Sequence, residues 1–447
     1  MAISMEKTIE SLYEAKKYQT LRDILSSQNE ADIAAFFSEV REEALPILFR
    51  LLPKDLAADT FALMEPEDQE LLIHGFSDSE LKEVIDELYV DDAADIVDEM
   101  PANVVKRILQ NADPEKRQMI NEILKYPEDS AGSLMTVEYI SLRPSMTITD
   151  AIKRIRRKVR ETETIYTCYV TDNNRHLLGY ISVRTLLLSN ENDKIGDIMD
   201  TTPVCVNTMD DKEDVAKKMN KYDFVAMPVV DDEMRLVGIV TFDDAIDVMQ
   251  DETTEDIEIM AAMAPAEESY FRTSDIKHAK NRIVWLLVLM LSATLTGSIL
   301  SYYESAFESI PILVSFIPML TGTGGNCGSQ SSTMVIRGMS VDEIKLKDFF
   351  KVVWMEFRIS LILSLSLAVV NGLRILLFYQ DVTLAAVISL SIIGTVIMAE
   401  LIGCMLPMIA KKCRLDPAIM AAPIITTLVD ALCIMLYFNI ALRFFNL

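Results

Sequence analysis

Hydrophobic and polar positions divide the chain into three stretches with different periods. From residue 8 to about residue 125, apolar residues recur at the spacing of short amphipathic helices, with Pro or Asp at the joints. The segment Asp55-Leu-Ala-Ala-Asp59 recurs as Asp91-Asp-Ala-Ala-Asp95, 36 residues later, in the range of helical-hairpin repeats. This pattern predicts an α-superhelical domain over residues 1–130.

Between about Leu134 and Met249 the pattern changes to β-branched runs that alternate with helical segments. One unit occurs twice, with a helix, an apolar strand and a last strand that carries the motif Gly-x-Ile/Val-Ser/Thr. The predicted helices are 149–159 and 213–221, and the predicted strands are 166–171, 178–182, 225–230 and 237–241. We therefore predict α/β modules at 131–195 and 196–250. An acidic helical pattern over 243–260 leads into a predicted connecting helix, 251–278.

The last third of the chain contains five apolar segments, each near or above the roughly 20 residues that a bilayer requires. They run approximately over 283–303, 309–336, 352–378, 382–410 and 418–444, which predicts an all-α transmembrane domain over 279–447. Lys and Arg cluster before the first segment, after the second and after the fourth, and the two other loops hold acids without bases. The positive-inside rule then places the N-terminal domains in the cytoplasm and the C-terminus outside.

The charge is concentrated in the polar half. Residues 1–275 carry 58 acids and 29 bases, whereas residues 276–447 carry 10 acids and 13 bases. Such an acidic part repels nucleic acid and anionic headgroups and favours cations as ligands. The six cysteines are scattered, and the sequence contains no nucleophile–base pattern, phosphate-binding loop or metal-hydrolase motif. We therefore expect neither a disulfide framework, nor a zinc site, nor an enzyme.

The stretch from Pro318 to Gln330 places glycines and polar side chains inside the second apolar segment. Hydrocarbon offers no water to the backbone, so polar or irregular main chain at membrane depth must face protein or line a wet cavity. We interpret the stretch as part of a hydrated pathway lined by Gly324, Gly325, Asn326 and Gln330. Close helix packing through the glycines is the alternative, and the amide and hydroxyl side chains favour the pathway.

Acids inside membrane segments indicate function. Asp430 lies in the middle of the fifth segment, with Thr426 one helical turn before it. One carboxylate with hydroxyls and carbonyls suits Mg²⁺, which keeps several waters and typically uses one or two carboxylates; Mn²⁺ and Co²⁺ accept similar ligands. Glu400 in the fourth segment is either half of a structural pair or a proton site.

The two α/β modules resemble a pair of CBS domains. The second copy continues from Thr241 to Asp243 and Asp244 as the family does, whereas the first has Arg184 where an acid is expected. The resemblance implies an adenine-nucleotide site, with Phe224, Thr241 and Asp243 or Asp244 as candidate contacts.

The chain as a whole resembles the MgtE family of magnesium channels. The resemblance is carried by Pro318-x-Leu-Thr-Gly-x-Gly-Gly-Asn326-x-Gly-x-Gln330, followed by Arg337-Gly338, and by Asp416-Pro-Ala…Pro423…Thr-Thr-Leu-x-Asp430. It implies a homodimer in the plasma membrane whose pore lies on the two-fold axis, lined by the second and fifth spans, with Asp430 of each subunit holding hydrated Mg²⁺. The sequence departs from the family at Ala422, two turns before Asp430.

The resemblance also implies that Mg²⁺ bound between the N-domain, the CBS pair and the connecting helix closes the pore. The candidate ligands are Asp91, Asp92, Asp95, Asp223, Asp244, Asp247, Glu252, Glu255 and Asp256. On residue pattern alone, these acids form either a cation-attracting surface or ordinary solvated helix faces.

Three functions remain open at this point. The first is a Mg²⁺-gated Mg²⁺ channel, and the second is a proton- or sodium-coupled transporter of Mg²⁺, Mn²⁺ or Co²⁺ that uses Glu400 as its coupling site. The third is an energy-sensing CBS receptor whose membrane part is only an anchor.

Overall fold

The computed structural model describes residues 9, 11–265, 270, 273–304, 310–420 and 422–445. The chain divides into two units, Met1–Gln250 and Asp251–Leu447. The first unit holds a helical N-domain and two α/β modules, and the second holds long apolar helices. The predicted fold class is confirmed in each part.

Short helices joined by brief connections build the N-domain. They are α1 (Tyr18–Leu25), α2 (Glu30–Ser38), α3 (Leu45–Phe49), α4 (Lys54–Ala62), α5 (Pro66–Gly75), α6 (Asp78–Glu87), α7 (Val90–Glu99), α8 (Ala102–Asn111) and α9 (Pro114–Ile123). From α4 onward the helices begin at residues 54, 66, 78, 90, 102 and 114, so successive starts are 12 residues apart. The 36-residue repeat is therefore three helices long and not a single helical hairpin.

The regular 12-residue step has a local cause. Each helix from α4 to α9 follows a residue with extended backbone, ψ between 142° and 162°, which stops the preceding helix and turns the chain. The apolar side of each helix then packs into one continuous core. The rings of Phe37, Phe49, Phe61 and Phe76 contact one another inside it.

The two α/β modules have the same sheet topology. In the first, β1 (Ser141–Leu142) pairs in parallel with β2 (Thr167–Thr171), which pairs antiparallel with β3 (Leu177–Ser182). In the second, β4 (Val206–Asn207), β5 (Ala226–Val230) and β6 (Leu236–Thr241) repeat this order. The helices are α10 (Ile148–Lys158), α11 (Val183–Leu188), α12 (Ile195–Ile198), α13 (Lys212–Tyr222) and α14 (Phe242–Met260). The predicted strands and helices lie within one residue of these bounds.

The glycine of each Gly-x-Ile/Val motif is required by a close backbone approach. A Cβ atom on Gly238 would lie 2.7 Å from the carbonyl oxygen of Thr136, and one on Gly179 would overlap the carbonyl of Asp200. Both approaching segments form β-bridges to these last strands. The repeated glycine therefore lets another part of the chain join each sheet.

The second unit contains five long helices within its described residues. They are α15 (Asp275–Tyr302), α16 (Ile317–Ser340), α17 (Phe349–Tyr379), α18 (Val382–Lys412) and α19 (Ala422–Phe445). Of the described helices, α15, α17, α18 and α19 are long and apolar enough to cross a membrane. Helix α16 has 24 residues, enough for a bilayer, but it carries the glycines and polar side chains of the 318–330 stretch.

The connecting helix is shorter than the sequence predicted. Helix α14 begins at Phe242 and ends at Met260, and the next helix begins at Asp275, so residues 251–278 are not one helix. Residues 266–269 and 271–272 lie outside the described part of the chain.

The 318–330 stretch is regular α-helix, and its glycines form close helix contacts. A Cβ atom on Gly324 would lie 2.7 Å from Thr395 Cγ2 of α18 and 2.8 Å from Val429 Cγ1 of α19. Gly403 of α18 meets the backbone of Gly328 in the same way. For these glycines the geometry matches the close-packing alternative.

These contacts predict a strongly position-dependent effect of adding one methyl group. Gly403→Ala would press a Cβ atom against the carbonyl of Gly328, and overpacking of this kind costs about 1–3 kcal/mol. Gly322→Ala in α16 meets no atom within 4 Å and gains helix propensity. We expect the midpoint of thermal unfolding in detergent to fall for Gly403→Ala alone. Equal midpoints for the two variants would contradict the packing described.

Candidate cation sites

Carboxylates from the N-domain and from both α/β modules meet within the first unit. We call this group the acidic seam, and its members are Asp91, Asp92, Glu138, Glu163 and Asp244. The first two belong to the first turn of α7 and the last to the first turn of α14. The two glutamates lie in the loops before β1 and before β2, and the sequence analysis missed both.

Glu138 organises the seam through hydrogen bonds. The backbone N–H of Val90 donates to Glu138 Oε2 at 2.9 Å, and Thr136 Oγ1 donates to the same oxygen at 3.3 Å. The Glu163 N–H donates to the backbone carbonyl of Glu138 at 2.9 Å. A carboxylate at a helix N-terminus is favourable, and Tyr89 supplies no side-chain cap. Glu138 therefore caps α7 from another domain.

Burial is the main cause that raises the pKa values of the seam carboxyls, and neighbouring negative charges add to it. The pKa of Asp92 is raised to about 7, that of Glu163 to about 8 and that of Asp244 to about 6. The pKa of Asp91 is raised well above its ordinary value, first by burial and then by the charge of Asp244. Lys116 lowers the pKa of Asp92 slightly, but its ammonium group donates to the carbonyls of the α6–α7 connection.

Two seam oxygens are buried and have no hydrogen-bond partner in the part of the chain that the structure describes. They are Oδ1 of Asp91, a residue that is 7% exposed, and Oε2 of Glu163. Within the described residues, no three His, Cys, Asp or Glu side chains form a group that could hold a metal ion. As it stands, the seam is a set of mutually repelling carboxylates and not a chelating cage.

Two of the other predicted regulatory acids border the seam. Asp95 of α7 lies near Asp244 and Asp92, whose charges add to the effect of burial in raising its pKa, and Asp247 of α14 contributes to the raised pKa of Asp244. Asp223 ends α13 in the left-handed conformation, with φ of 55°, and it lines a cavity between the CBS modules. The last three predicted regulatory acids are Glu252, Glu255 and Asp256. They lie on the part of α14 that belongs to the second unit, so their role stays a prediction.

That cavity, of about 150 Å³, lies between the two modules. Its lining residues are Thr167, Tyr169, Tyr180, Val204, Asp223, Phe224, Val225, Ala226 and Pro228. The Tyr169 hydroxyl is buried and has no hydrogen-bond partner among the described residues. Of the predicted nucleotide contacts, Phe224 lines the cavity. Thr241 and Asp243 are not among its lining residues, and the Thr241 hydroxyl donates to Asp244.

Helix α16 has two different faces. Its buried face carries Gly324 and Gly325, which contact neighbouring helices. The exposed face repeats every three or four residues and is mostly polar, with the exposed Met334 among Asn326, Gln330, Thr333 and Arg337. The predicted pathway residues therefore divide, with the glycines in helix packing and the amides on an open polar face.

Asp430 lies on α19 and is half-buried. No described residue donates a hydrogen bond to its carboxylate or pairs with it. Thr426 precedes it by one turn, and its hydroxyl donates to the carbonyl of Pro423 at 3.0 Å. A Cβ atom on Gly325 would lie 3.0 Å from Thr426 Cγ2, so α16 and α19 touch near this carboxylate. The Ala422 side chain lies outside the described part.

The membrane unit also contains a pair of acids, of which the sequence analysis identified only Glu400. Glu400 of α18 is 2% exposed, and its carboxyl is hydrogen-bonded to that of Glu356 on α17. Ser331 Oγ lies 2.9 Å from Glu356 Oε2 and 3.1 Å from the Glu400 carbonyl oxygen. Glu356 lies near one end of its span, so the sequence analysis did not single it out as an acid inside the membrane.

The fold and these sites define a class: a multi-pass membrane protein with a membrane-embedded carboxylate and acidic cytoplasmic domains that include a CBS pair. Family profiles agree with each part. Residues 317–440 match the MgtE divalent cation transporter profile, residues 28–129 match the MgtE intracellular N domain, and residues 131–190 and 195–251 match the CBS domain. The chain belongs to the MgtE family.

Whole-length relatives support the same assignment. The chain is 35% identical to the magnesium transporter MgtE of Thermus thermophilus over 98% of both chains. It is 31% identical to the magnesium transporter MgtE of Bacillus subtilis, over 96% of this chain and 95% of that one.

Two solved structures match the cytoplasmic part. The cytosolic domain of the Mg²⁺ channel MgtE in complex with ATP is 36% identical, with a TM-score of 0.52, and covers 56% of this chain and 100% of its own. The soluble part of a magnesium transporter is 29% identical, with a TM-score of 0.53, and covers 56% of this chain and 99% of its own.

The seam carboxyls predict how stability depends on pH. Their folded pKa values lie above the value of about 4 for an unfolded carboxyl, so the folded state binds more protons between these limits. Stability therefore falls as pH rises through about 6 to 8. In chelator, the thermal midpoint of the N-domain should be lower at about pH 8.5 than at about pH 6, and Asp92→Asn with Glu163→Gln should reduce the difference. A midpoint that rises with pH would contradict this expectation.

Proposed function

We propose that this protein is a homodimeric Mg²⁺ channel of the plasma membrane that cytoplasmic Mg²⁺ closes, with its C-terminus outside the cell. The observation that carries the proposal is Asp430, a half-exposed carboxylate within a membrane helix to which no described residue supplies a partner. The names of the relatives, magnesium transporters, agree with it.

A second copy of the chain accounts for the open polar face of α16. Asn326 and Gln330 are exposed in a single chain, and lipid offers amides no hydrogen bonds. A two-fold axis brings the same face of both copies together, which would enclose a polar path between them. Asp430 lies on α19, next to α16, so both copies would contribute one carboxylate to that path.

The chemistry of the path favours a hydrated hard cation. One carboxylate per chain, with hydroxyls and carbonyls nearby, leaves most ligand positions to water, which is how Mg²⁺ is usually held. The membrane potential supplies about 2.3 kcal/mol per charge per 100 mV, so a divalent cation needs no other driving force to enter. Asp430 then attracts the ion without removing its waters.

Closure follows from the acidic seam. Without divalent cations, buried carboxylates on the N-domain and the CBS pair repel each other, which favours separation. Mg²⁺ between them would neutralise that repulsion and favour the packed arrangement seen here. Helix α14 begins beside the seam at Asp244 and continues into the second unit, so it is the element that would transmit the change.

The cavity between the CBS modules supports an additional adenine-nucleotide site. A similar cytosolic domain was solved with ATP, and here Phe224 and the unpartnered Tyr169 hydroxyl line the cavity. At about 150 Å³ the cavity is smaller than the roughly 300–1,000 Å³ of typical ligand sites. It would therefore take the base, with the phosphates outside.

A proton-coupled transporter is the second candidate function. The observation that favours it is the contact between Glu356 and Glu400, because acids inside membrane segments are typical of proton relays. In a channel the pair only joins α17 to α18, whereas in a coupled carrier it would pass a proton during transport.

Variants of the two intramembrane sites test the pathway and separate the candidates. Asp430→Asn should fail to restore magnesium-dependent growth to a transport-deficient host, because the ion loses its anionic ligand. Asp381→Asn is the matched control, since Asn can still cap α18 as Asp381 does. Glu400→Gln should largely restore growth.

The outcomes distinguish the two functions. Full rescue by Asp430→Asn would remove the pathway proposal. Proton-dependent flux that disappears in Glu400→Gln would favour the coupled transporter instead, and ohmic unitary currents that persist in that variant would favour the channel.

Limited proteolysis of the full chain tests the gate. At constant ionic strength, Mg²⁺ should protect residues 251–268, of which 266–268 lie outside the described part. Asp244→Asn and Asp247→Asn should weaken that protection, because bridging requires carboxylates. Equal protection by potassium, which screens charge without bridging, or none by Mg²⁺, would mean that gating lies elsewhere.

A further inference from the structure

Arg358 is a charged side chain on the exposed surface of a membrane helix. It lies nine residues after the start of α17 (Phe349–Tyr379), and its guanidinium has no ion pair or hydrogen bond with any described residue. Charged side chains in membrane spans usually face the interior of the bundle and pair there. Because Arg358 is exposed and unpaired, its charge requires an anion from outside the chain.

The second arginine of α17 indicates how deep Arg358 lies. Residues 359–373, between Arg358 and Arg374, contain no charged side chain. At 1.5 Å per residue the two Cα atoms are about 24 Å apart, slightly less than the roughly 30 Å of the hydrocarbon core. Long basic side chains at such positions extend to the interface. The N-terminal domains are cytoplasmic and α17 is the third of the five long helices, so Arg358 reaches the lipid phosphates of the cytoplasmic leaflet.

The positions around Arg358 form one exposed face of α17. Lys351 and Trp354 precede it by seven and four residues and are exposed, Trp354 by 60%. Leu361 and Leu365 follow at the same spacing and are also exposed. Steps of three and four residues place all five side chains on one side of a helix. The face therefore has two bases and an indole at its cytoplasmic end and apolar side chains at membrane depth.

We propose that this face binds one anionic phospholipid of the cytoplasmic leaflet, with Arg358 and Lys351 binding the phosphodiester of its headgroup. The Lys351 ammonium group also has no partner among the described residues. A guanidinium matches two phosphate oxygens at once. Trp354 lies between the two bases, its ring stacked on Phe357 with centroids 5.7 Å apart, and indoles favour the membrane interface.

Charge selects the lipid. Two bases attract a headgroup with a net negative charge, whereas the amine of a zwitterionic headgroup offsets its own phosphate. Each base near an anionic surface is worth on the order of fivefold in binding. Glu356, in the same turn as Arg358, does not neutralise the face, because its Oε2 lies 2.9 Å from Ser331 Oγ of α16. The site is separate from Asp430 and does not depend on the ion that the protein carries.

A second copy of the chain is a poorer occupant of this face. A two-fold axis brings the same residues of both copies together, so Arg358 and Lys351 would meet the same two bases and repel them. The exposed face of α16 differs, because its amides, Asn326 and Gln330, can donate to and accept from each other. Charge therefore assigns the α17 face to lipid.

Quenching of Trp354 fluorescence by brominated lipids tests the proposal. The chain has two tryptophans, Trp285 and Trp354, so Trp285→Phe in the full-length protein leaves one reporter on the proposed site. In phosphatidylcholine bilayers, brominated phosphatidylglycerol should bind beside Trp354 on the order of tenfold more tightly than brominated phosphatidylcholine. Lys351→Gln with Arg358→Gln should remove this preference, because the headgroup loses both bases.

Two further variants control for charge and position. Arg374→Gln removes the same charge from the other end of α17, where residues 359–381 contain no other Lys or Arg, and it should keep the preference of the parent. Lys351→Arg with Arg358→Lys keeps both charges and should retain most of the preference.

Three results would overturn the proposal. Equal binding of the two lipids by the parent, or an unchanged preference in the double glutamine variant, would refute the site. A preference that falls as far in Arg374→Gln would show a response to net charge alone. If light scattering in detergent shows a smaller oligomer for the double glutamine variant than for the parent, the face is a subunit contact and the lipid assignment is wrong.

Discussion

Repulsion between carboxylates that are withdrawn from water is the constraint around which the cytoplasmic part is arranged. Asp91, Asp92 and Glu163 lie together where the N-domain meets the CBS pair, and the ammonium group of Lys116 beside them donates to backbone carbonyls. A protein that needed only a stable interface would place apolar or paired groups there, because replacing buried charge by packed hydrophobic residues is often neutral or stabilising. In the proposed gate, this uncompensated charge makes docking depend on an external cation. The seam is therefore better suited to sensing than to permanent packing.

The membrane unit has a different requirement, and it uses glycine to meet it. Helix α16 must pack without gaps on one side and remain polar on the other, and glycine makes this possible because it adds no side-chain volume. Gly324 and Gly328 bring α16 against α18 and α19, so that polar positions such as Asn326 remain on the free face. The low apolar content that sets α16 apart from the other four helices thus follows from its two contacts. A more apolar α16 would suit lipid and lose the polar face.

The pattern of residues within short segments was enough to predict the individual strands and helices. The strands and helices of the CBS pair followed from alternation, glycine motifs and spacing, and the family followed from the resemblance of the two membrane motifs. The seam was predicted only in part, because Glu138 and Glu163 are separated from Asp91 by more than forty residues and have no motif. Glu356 was missed for the same reason, since nothing in sequence reports its contact with Glu400. The glycines of α16 were assigned to the pathway because sequence shows that a residue is small but not which helix it touches.

The number of cation sites follows from the energy that a gate requires. Moving a two-state equilibrium from 1:99 to 99:1 takes about 5.5 kcal/mol of differential binding. One site that binds only the docked state supplies about 2.7 kcal/mol when the ion concentration is 100 times its Kd. One weakly held hydrated ion in the acidic seam would therefore not close the proposed gate alone, and at least one more bound ion would be needed. The spread of further acids over α7 and α14, with Asp95 and Asp247 at the border of the seam, provides positions for them. Several weak sites also make closure steep, since each ion that docks the domains preforms the sites for the next.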